Sequence, residues 1–137
     1  MDVKELSKTI IEFYEKLSTW EEGVVKDSGL TTAQNHTIEI VGHEGAIKMK
    51  QLADKLGVTT GTLTVSIDRL EEKELLRRVP HKSDRRSYLI ELTEKGQEVF
   101  KMHHNHHINL TREMMAGFSE QEQANFYGAV KKIMENF

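Results

Sequence analysis

A mainly α fold carrying a helix-turn-helix and a small β-hairpin is predicted by three observations on this 137-residue chain. Apolar residues recur at steps of three and four through most of its length. Two short helical patterns meet at a tight turn around Gly57. The period then changes, to two short segments (75–80 and 87–92) flanking a polar tip. One Pro and nine Gly weigh against a loop-rich all-β chain, and the length suits one domain with a sizeable core.

Each element has its own signal. Val3, Leu6, Ile10, Phe13, Leu17 and Trp20 line one face of a helix over residues 3–26, closed by the turn chemistry of Lys26-Asp27-Ser28-Gly29. Thr31 or Thr32 can cap a second helix running to about Val41, with Gly42-His43-Glu44-Gly45 as a turn. A third helix, 48–56, places Met49, Leu52, Ala53 and Leu56 on one face and stops at Gly57, where a left-handed cap is wanted. Leu63, Ile67 and Leu70 mark the fourth. In the hairpin Tyr88, Ile90 and Leu92 alternate, His81-Lys82-Ser83-Asp84-Arg85-Arg86 forms the tip, and Pro80 sits at a strand end where its missing N–H is tolerated. A hairpin directly after a helix-turn-helix is a wing. Thr93-Glu94-Lys95-Gly96 restarts helix, with a stripe of Val99, Met102, His106, Leu110 and Met114. Gly117-Phe118-Ser119-Glu120 breaks it, and Ser119 with Glu122 is a capping box opening a last helix that carries Phe126, Val130, Ile133 and Met134. There are no repeats, low-complexity tracts or internal linkers.

Composition removes whole classes of function. With 37% hydrophobic and 30% charged residues the chain reads as a folded, polar-surfaced soluble protein. The lack of cysteine excludes a disulfide framework, a thiolate metal cage and a Cys nucleophile. The N-terminus is charged where a signal peptide would be apolar, and no apolar run approaches the roughly 18 residues needed to span a bilayer. A cytoplasmic protein with no membrane partner is expected. That makes the sequons Asn35-His36-Thr37 and Asn109-Leu110-Thr111 chance matches. Nor does an enzyme emerge: His43-Glu44 begins like a zincin motif, but Ile47 stands where the second His belongs. Neither a phosphate-binding Gly-rich loop nor a nucleophile elbow is present.

The net charge of −3 excludes a wholly basic nucleic-acid coat but not a local patch. Residues 75–86 hold five basic side chains (Arg77, Arg78, Lys82, Arg85, Arg86) against Asp84, a local balance of +4. Neutralising phosphates supplies sequence-independent affinity that falls steeply with salt. Just upstream, Thr59, Thr60, Thr62 and Arg69 lie on the exposed face of the fourth helix, where small hydroxyls can approach phosphates and base edges and Val65 a thymine methyl. Thr-rich helix starts are often only caps, and arginines often only a solvated hairpin. Together and in this order they favour double-stranded DNA as the partner.

On these residues the chain resembles the MarR-type winged-helix transcriptional regulators. The resemblance rests on Gln51-Leu52-Ala53-Asp54-Lys55-Leu56, on Val58 through Leu70, and on Asp84-Arg85-Arg86 followed by Leu92-Thr93-Glu94-Lys95-Gly96. It covers essentially the whole chain. It implies one MarR-type domain over 1–137: a winged helix over 31–97, and dimerisation helices over 1–30 and 98–137 that interlock in a homodimer. Two reading helices would then enter major grooves about 34–36 Å apart on a pseudo-palindromic operator, most often as a repressor. By position Thr60, Gly61, Thr62 and Val65 match the groove-facing residues, and Arg86 braced by Asp84 matches the wing arginine. Glu74 stands where the family usually has Gly, so the turn into the wing is expected to differ.

Seven histidines, four of them between 103 and 107, call for an account. His103 and His107 share a helix face in the H-x-x-x-H spacing that offers two imidazoles to one metal. Zinc takes about four ligands, here nitrogen or oxygen; His36 is a candidate third and Glu21 or Glu22 a fourth. A histidine in a long helix is also commonly just a hydrogen-bonded core residue. The zinc-sensing AdcR/ZitR-like branch of the family uses a helix-one Glu, a second-helix His and such a pair, although the Cys and Glu of their second site are absent, Asn35 replacing the Glu. FabT-like repressors, which answer to acyl chains, carry similar histidines around His36-Thr37-Ile38-Glu39-Ile40-Val41-Gly42. The expectation is a regulator with no obligatory cofactor and an effector near the junction of dimerising and reading helices: zinc, or alternatively an acyl chain or small aromatic ligand with no metal site.

Overall fold

The computed structural model describes residues 1–84 and 86–137, which form two compact units, Met1–His104 and Asn105–Phe137. In the first unit α1 (Val3–Ser28) is capped by the Asp2 carboxylate, which accepts from Lys4 N at 2.9 Å, and ends at Gly29 in a left-handed conformation. Helix α2 (Thr32–Glu44) opens with a reciprocal box: Thr31 Oγ1 accepts from Gln34 N, and Gln34 Oε1 from Thr31 N. It does not stop near Val41. It continues through Gly42 and His43, because Gly42 acts as a gap rather than a break: a Cβ there would lie 2.2 Å from the Phe100 ring. The turn narrows to Gly45, at φ +76°.

Next comes a strand the sequence did not announce, β1 (Ile47–Lys48), too short to show a period of two. The helix-turn-helix is α3 (Met49–Leu56) and α4 (Thr60–Glu72), and the wing is β2 (Leu76–Pro80) and β3 (Tyr88–Leu92). The antiparallel sheet runs β1-β3-β2, with Ile47 opposite Ile90 and Leu76 opposite Leu92. One core joins these pieces: Ile38 and Val41 from α2, Leu52 from α3, Leu63, Ile67 and Leu70 from α4, Leu76 and Ile90 from the sheet. Burial of each such side chain contributes about 1.5–3 kcal/mol, and their convergence fixes how α4 and the wing sit on α2.

Both helices of the motif end in the same way. Past α3, Gly57 N donates to Asp54 O and Val58 N to Ala53 O. Past α4, Glu74 N donates to Glu71 O and Leu75 N to Leu70 O, closing the paired 5→2 and 6→1 bonds of a Schellman cap. Glu74 occupies the left-handed position at φ 60°. The turn into the wing therefore keeps the geometry glycine would give, contrary to expectation. Local packing overrides the Cβ penalty: Leu70 and Leu75, the residues the cap brings together, are both core members. The Thr93 hydroxyl then donates to Glu74 O at 2.5 Å and accepts from Gly96 N at 3.0 Å, tying the start of α5 (Glu94–Met115) to the same turn. Gly96 fits because its missing Cβ would sit 2.0 Å from Leu75 O.

The inward face of early α5 also differs from the expected stripe. Gly96 and His103 are buried and Val99 and Phe100 half-buried, whereas Met102 is 66% exposed. Val99, Leu110 and Met114 of the expected stripe are half-buried, whereas Met102 and His106 are exposed; Gly96 and His103 line the inward face without adding to an apolar count. In the second unit, the rest of α5 is followed by α6 (Glu120–Glu135). Its box pairs Glu122 N with Ser119 Oγ and Ser119 N with Glu122 Oε2 at 2.8 Å. These bonds from Ser119 hold the Glu122 carboxyl below its usual range. Phe126, Tyr127, Val130, Ile133 and Met134 on α6 are exposed. Among the described residues no helix is long and apolar enough to cross a membrane.

Candidate nucleic-acid interface and histidine cluster

Helix α4 buries Leu63, Ile67 and Leu70, which turns Thr60, Gly61, Thr62, Val65 and Arg69 outward. Its N-cap is Thr59, whose Oγ1 accepts from Thr62 N at 3.2 Å and donates to Thr62 Oγ1 at 3.0 Å. Thr59 is thus a cap, and it also fixes the Thr62 hydroxyl at the mouth of the helix. Thr64 donates back to Thr60 O. What remains outward is a short, smooth N-terminal face. Exposed N–H groups and small side chains there allow a close approach by a phosphate or base edge.

The wing is less basic than residue counting suggests. Arg77 Nε lies 2.5 Å from Glu91 Oε1 on the neighbouring strand. Arg78 reaches back to α4, with Asp68 and Glu71 each at 2.7 Å. Partial burial alone would lower the Arg78 pKa, but these two carboxylates outweigh it and hold it above the ordinary value. Two of the five basic residues are therefore neutralised inside the unit, and the local balance of +4 overstates what a polyanion meets. Sequence could not show this, because the acids come from α4 and β3. Lys82, Asp84 and Arg86 are exposed at the tip; Arg85 lies outside the described residues. Asp84 does brace the tip, though through the backbone: its Oδ1 accepts from Arg86 N at 3.0 Å and its carbonyl from Ser87 N at 3.2 Å. His81 N donates to Ser87 O, closing the loop beneath them.

The histidines fall into different surroundings. His103 is 4% exposed, with Nε2 at 2.8 Å from Glu21 Oε1 and 3.9 Å from Glu39 Oε1. Of the two helix-one candidates, Glu21 is the one brought beside it, and Glu22 is exposed. His107 follows one turn further along α5. His36 is exposed and borders a cavity of about 160 Å³ between α2 and the helix-turn-helix, with Ala33, Thr37, Leu56, Thr62 and Leu63 in its wall. His43, which the sequence suggested belonged to a turn, pairs with Glu39 on α2 at 3.1 Å.

Comparison with known proteins agrees with this architecture. Residues 30–88 match the MarR family. The chain is 34% identical over 103 residues to the HTH-type transcriptional regulator PecS of Dickeya dadantii, covering 73% of this chain and 62% of that protein's length. It is 30% identical over 108 residues to the HTH-type transcriptional regulator YkoM of Bacillus subtilis, covering 78% of this chain and 70% of the relative. The match to PecS thus spans less than two thirds of that protein. The fold superposes on Streptococcus pneumoniae FabT, solved in complex with DNA, with a TM-score of 0.88 at 25% identity over 98% of this chain and 96% of that one. Sequence, element order and three-dimensional fold converge: this chain belongs to the MarR family.

Proposed function

We propose that the protein is a homodimeric, DNA-binding transcriptional repressor that reads a pseudo-palindromic operator. The observation that carries this is the smooth N-terminal face of α4, Thr60, Gly61, Thr62 and Val65, set beside a wing tip that exposes Lys82 and Arg86. The likeness to FabT supports it, since that protein was solved on DNA. In this role α4 lies in the major groove and Arg86 enters the adjacent minor groove, while Arg69 and Lys82 meet phosphates. A second copy covers the apolar faces of α1 and α6. The test is a gel shift on DNA upstream of the gene itself, against a scrambled duplex. Selective binding is expected, and equal binding to both duplexes would overturn the assignment.

Zinc acting as effector through His103 and His107 is supported by the burial of His103 against Glu21 and by the H-x-x-x-H spacing inside a single helix. An acyl-chain or small aromatic effector is supported by the cavity beside His36, whose volume of about 160 Å³ suits one ring. Both act by favouring one arrangement of the two α4 helices. Gel shifts with added zinc, repeated on a His103→Ala, His107→Ala variant, separate them: a zinc response that survives in the variant removes the metal from these residues.

A further inference from the structure

Glu39 and His43 lie one turn apart on α2, with Glu39 Oε2 at 3.1 Å from His43 Nε2. Helix α5 brings His104 up to them: its ring meets that of His43 edge-on at 5.1 Å and stacks on Phe100 at 5.5 Å, 13° from parallel. Phe100 is itself seated in the gap above Gly42. One ligand atom from each of Glu39, His43 and His104 lies within 4.8 Å of the other two. All three residues belong to the first unit.

We propose that Glu39, His43 and His104 form a binding site for a divalent transition-metal ion of the Zn²⁺ class. Ligands bound at about 2.0–2.2 Å around a tetrahedral ion stand roughly 3.3–3.5 Å apart, so the triad needs to close by little more than about 1 Å. His43 is exposed and on a helix surface, which leaves its ring room to turn inward. Two imidazoles and a carboxylate, with solvent in the remaining position, is the ligand count of an open zinc site. Glu39 gives an independent sign. Its side chain is 16% exposed, and its Oε1 is buried without a hydrogen-bond partner among the described residues. A buried carboxylate oxygen is costly to leave unsatisfied, and a cation beside it removes that cost. Stacking on Phe100 gives the His104 ring a fixed plane. His36, His103 and His107 are not part of this triad, although His103 Nε2 lies 3.9 Å from Glu39 Oε1, and the site does not rest on the DNA-binding assignment.

The full chain, purified without a tag and stripped with chelator, is titrated with Zn²⁺ by calorimetry, followed by metal analysis after gel filtration. Four proteins are compared: wild type, His43→Ala with His104→Ala, His43→Gln with His104→Gln, and His103→Ala with His107→Ala. The His103, His107 variant should retain one zinc per chain, whereas the His43, His104 variant should lose that zinc or bind it at least about 100-fold more weakly. His43→Gln with His104→Gln should show the same loss, and unchanged helical circular dichroism identifies it as loss of ligands rather than of fold. Equal zinc binding by wild type and the His43, His104 variant overturns the proposal, since Glu39 and His43 are then only a hydrogen-bonded pair on α2. So does a wild type that binds no zinc, or a His103, His107 variant that binds none.

Discussion

Glu74 holds the one left-handed non-glycine conformation among the described residues, at the joint between α4 and the wing. A Cβ in that conformation costs on the order of 1–2 kcal/mol, and glycine there loses about 0.4–1 kcal/mol through its freer unfolded chain. Glu74→Gly should therefore stabilise the fold by on the order of 0.5–1 kcal/mol, read as a higher urea midpoint with an unchanged slope. Glu74→Ala should give no such gain; equal effects from the two would mean that the backbone strain argument is wrong. The same position shows what sequence could and could not reveal. A missing glycine was legible, but the outcome depended on Leu70 and Leu75 meeting in the core, Thr93 gripping the Glu74 carbonyl and Gly96 clearing Leu75 O. None of those contacts is local in sequence.

At the scale of elements, helices with three or four apolar residues on one face were legible, and so were the hairpin and the caps at Thr31 and Ser119. The misses share a physical cause. Gly42 is the same letter whether it ends a helix or admits a ring, β1 is too short to carry a period, and His103 packs inward although it counts as polar. The wing arginines were legible as charge but not as partners. Arg78 spans from β2 to α4 with only 25% of its side chain exposed, so Arg78→Ala breaks two charge-assisted bonds and uncovers Asp68 and Glu71. The expected loss is about 1–2 kcal/mol in chemical denaturation. Arg77 is 60% exposed against Glu91, and Arg77→Ala should cost no more than about 0.5 kcal/mol. Comparable losses for the two would show that Arg78 does not tie the wing to the reading helix. Helix α6 adds a pH dependence of its own. Its Glu122 carboxyl is held below the usual range, so the stabilisation is present above the ordinary glutamate pKa and is lost as pH falls through the lowered value.

The whole molecule must reconcile a net charge of −3 with binding a polyanion. An average over the chain is the wrong quantity, and so is a count over the wing, since Arg77 and Arg78 are spent on Glu91, Asp68 and Glu71. Among the described residues of the wing tip and α4, the cations left exposed to a duplex are Lys82, Arg86 and Arg69. Each phosphate neutralised steepens log K against log salt by about 0.9. In a dimer Arg86→Ala withdraws two cations from the duplex, and a cation in the minor groove displaces counterions as one at a phosphate does, so the slope should flatten by about 2. Arg77→Ala should leave it within about 0.5, because its charge is already matched by Glu91. Fluorescence anisotropy on one duplex across a salt series measures both. Equal flattening by Arg77 and Arg86 would mean that the internal pairs open on DNA and that the wing carries its full complement of charge after all. If instead only Arg86 changes the slope, the ion pairs around Arg77 and Arg78 belong to the scaffold. They would then hold the tip at a set distance from α4, which is what two adjacent grooves require of one rigid body.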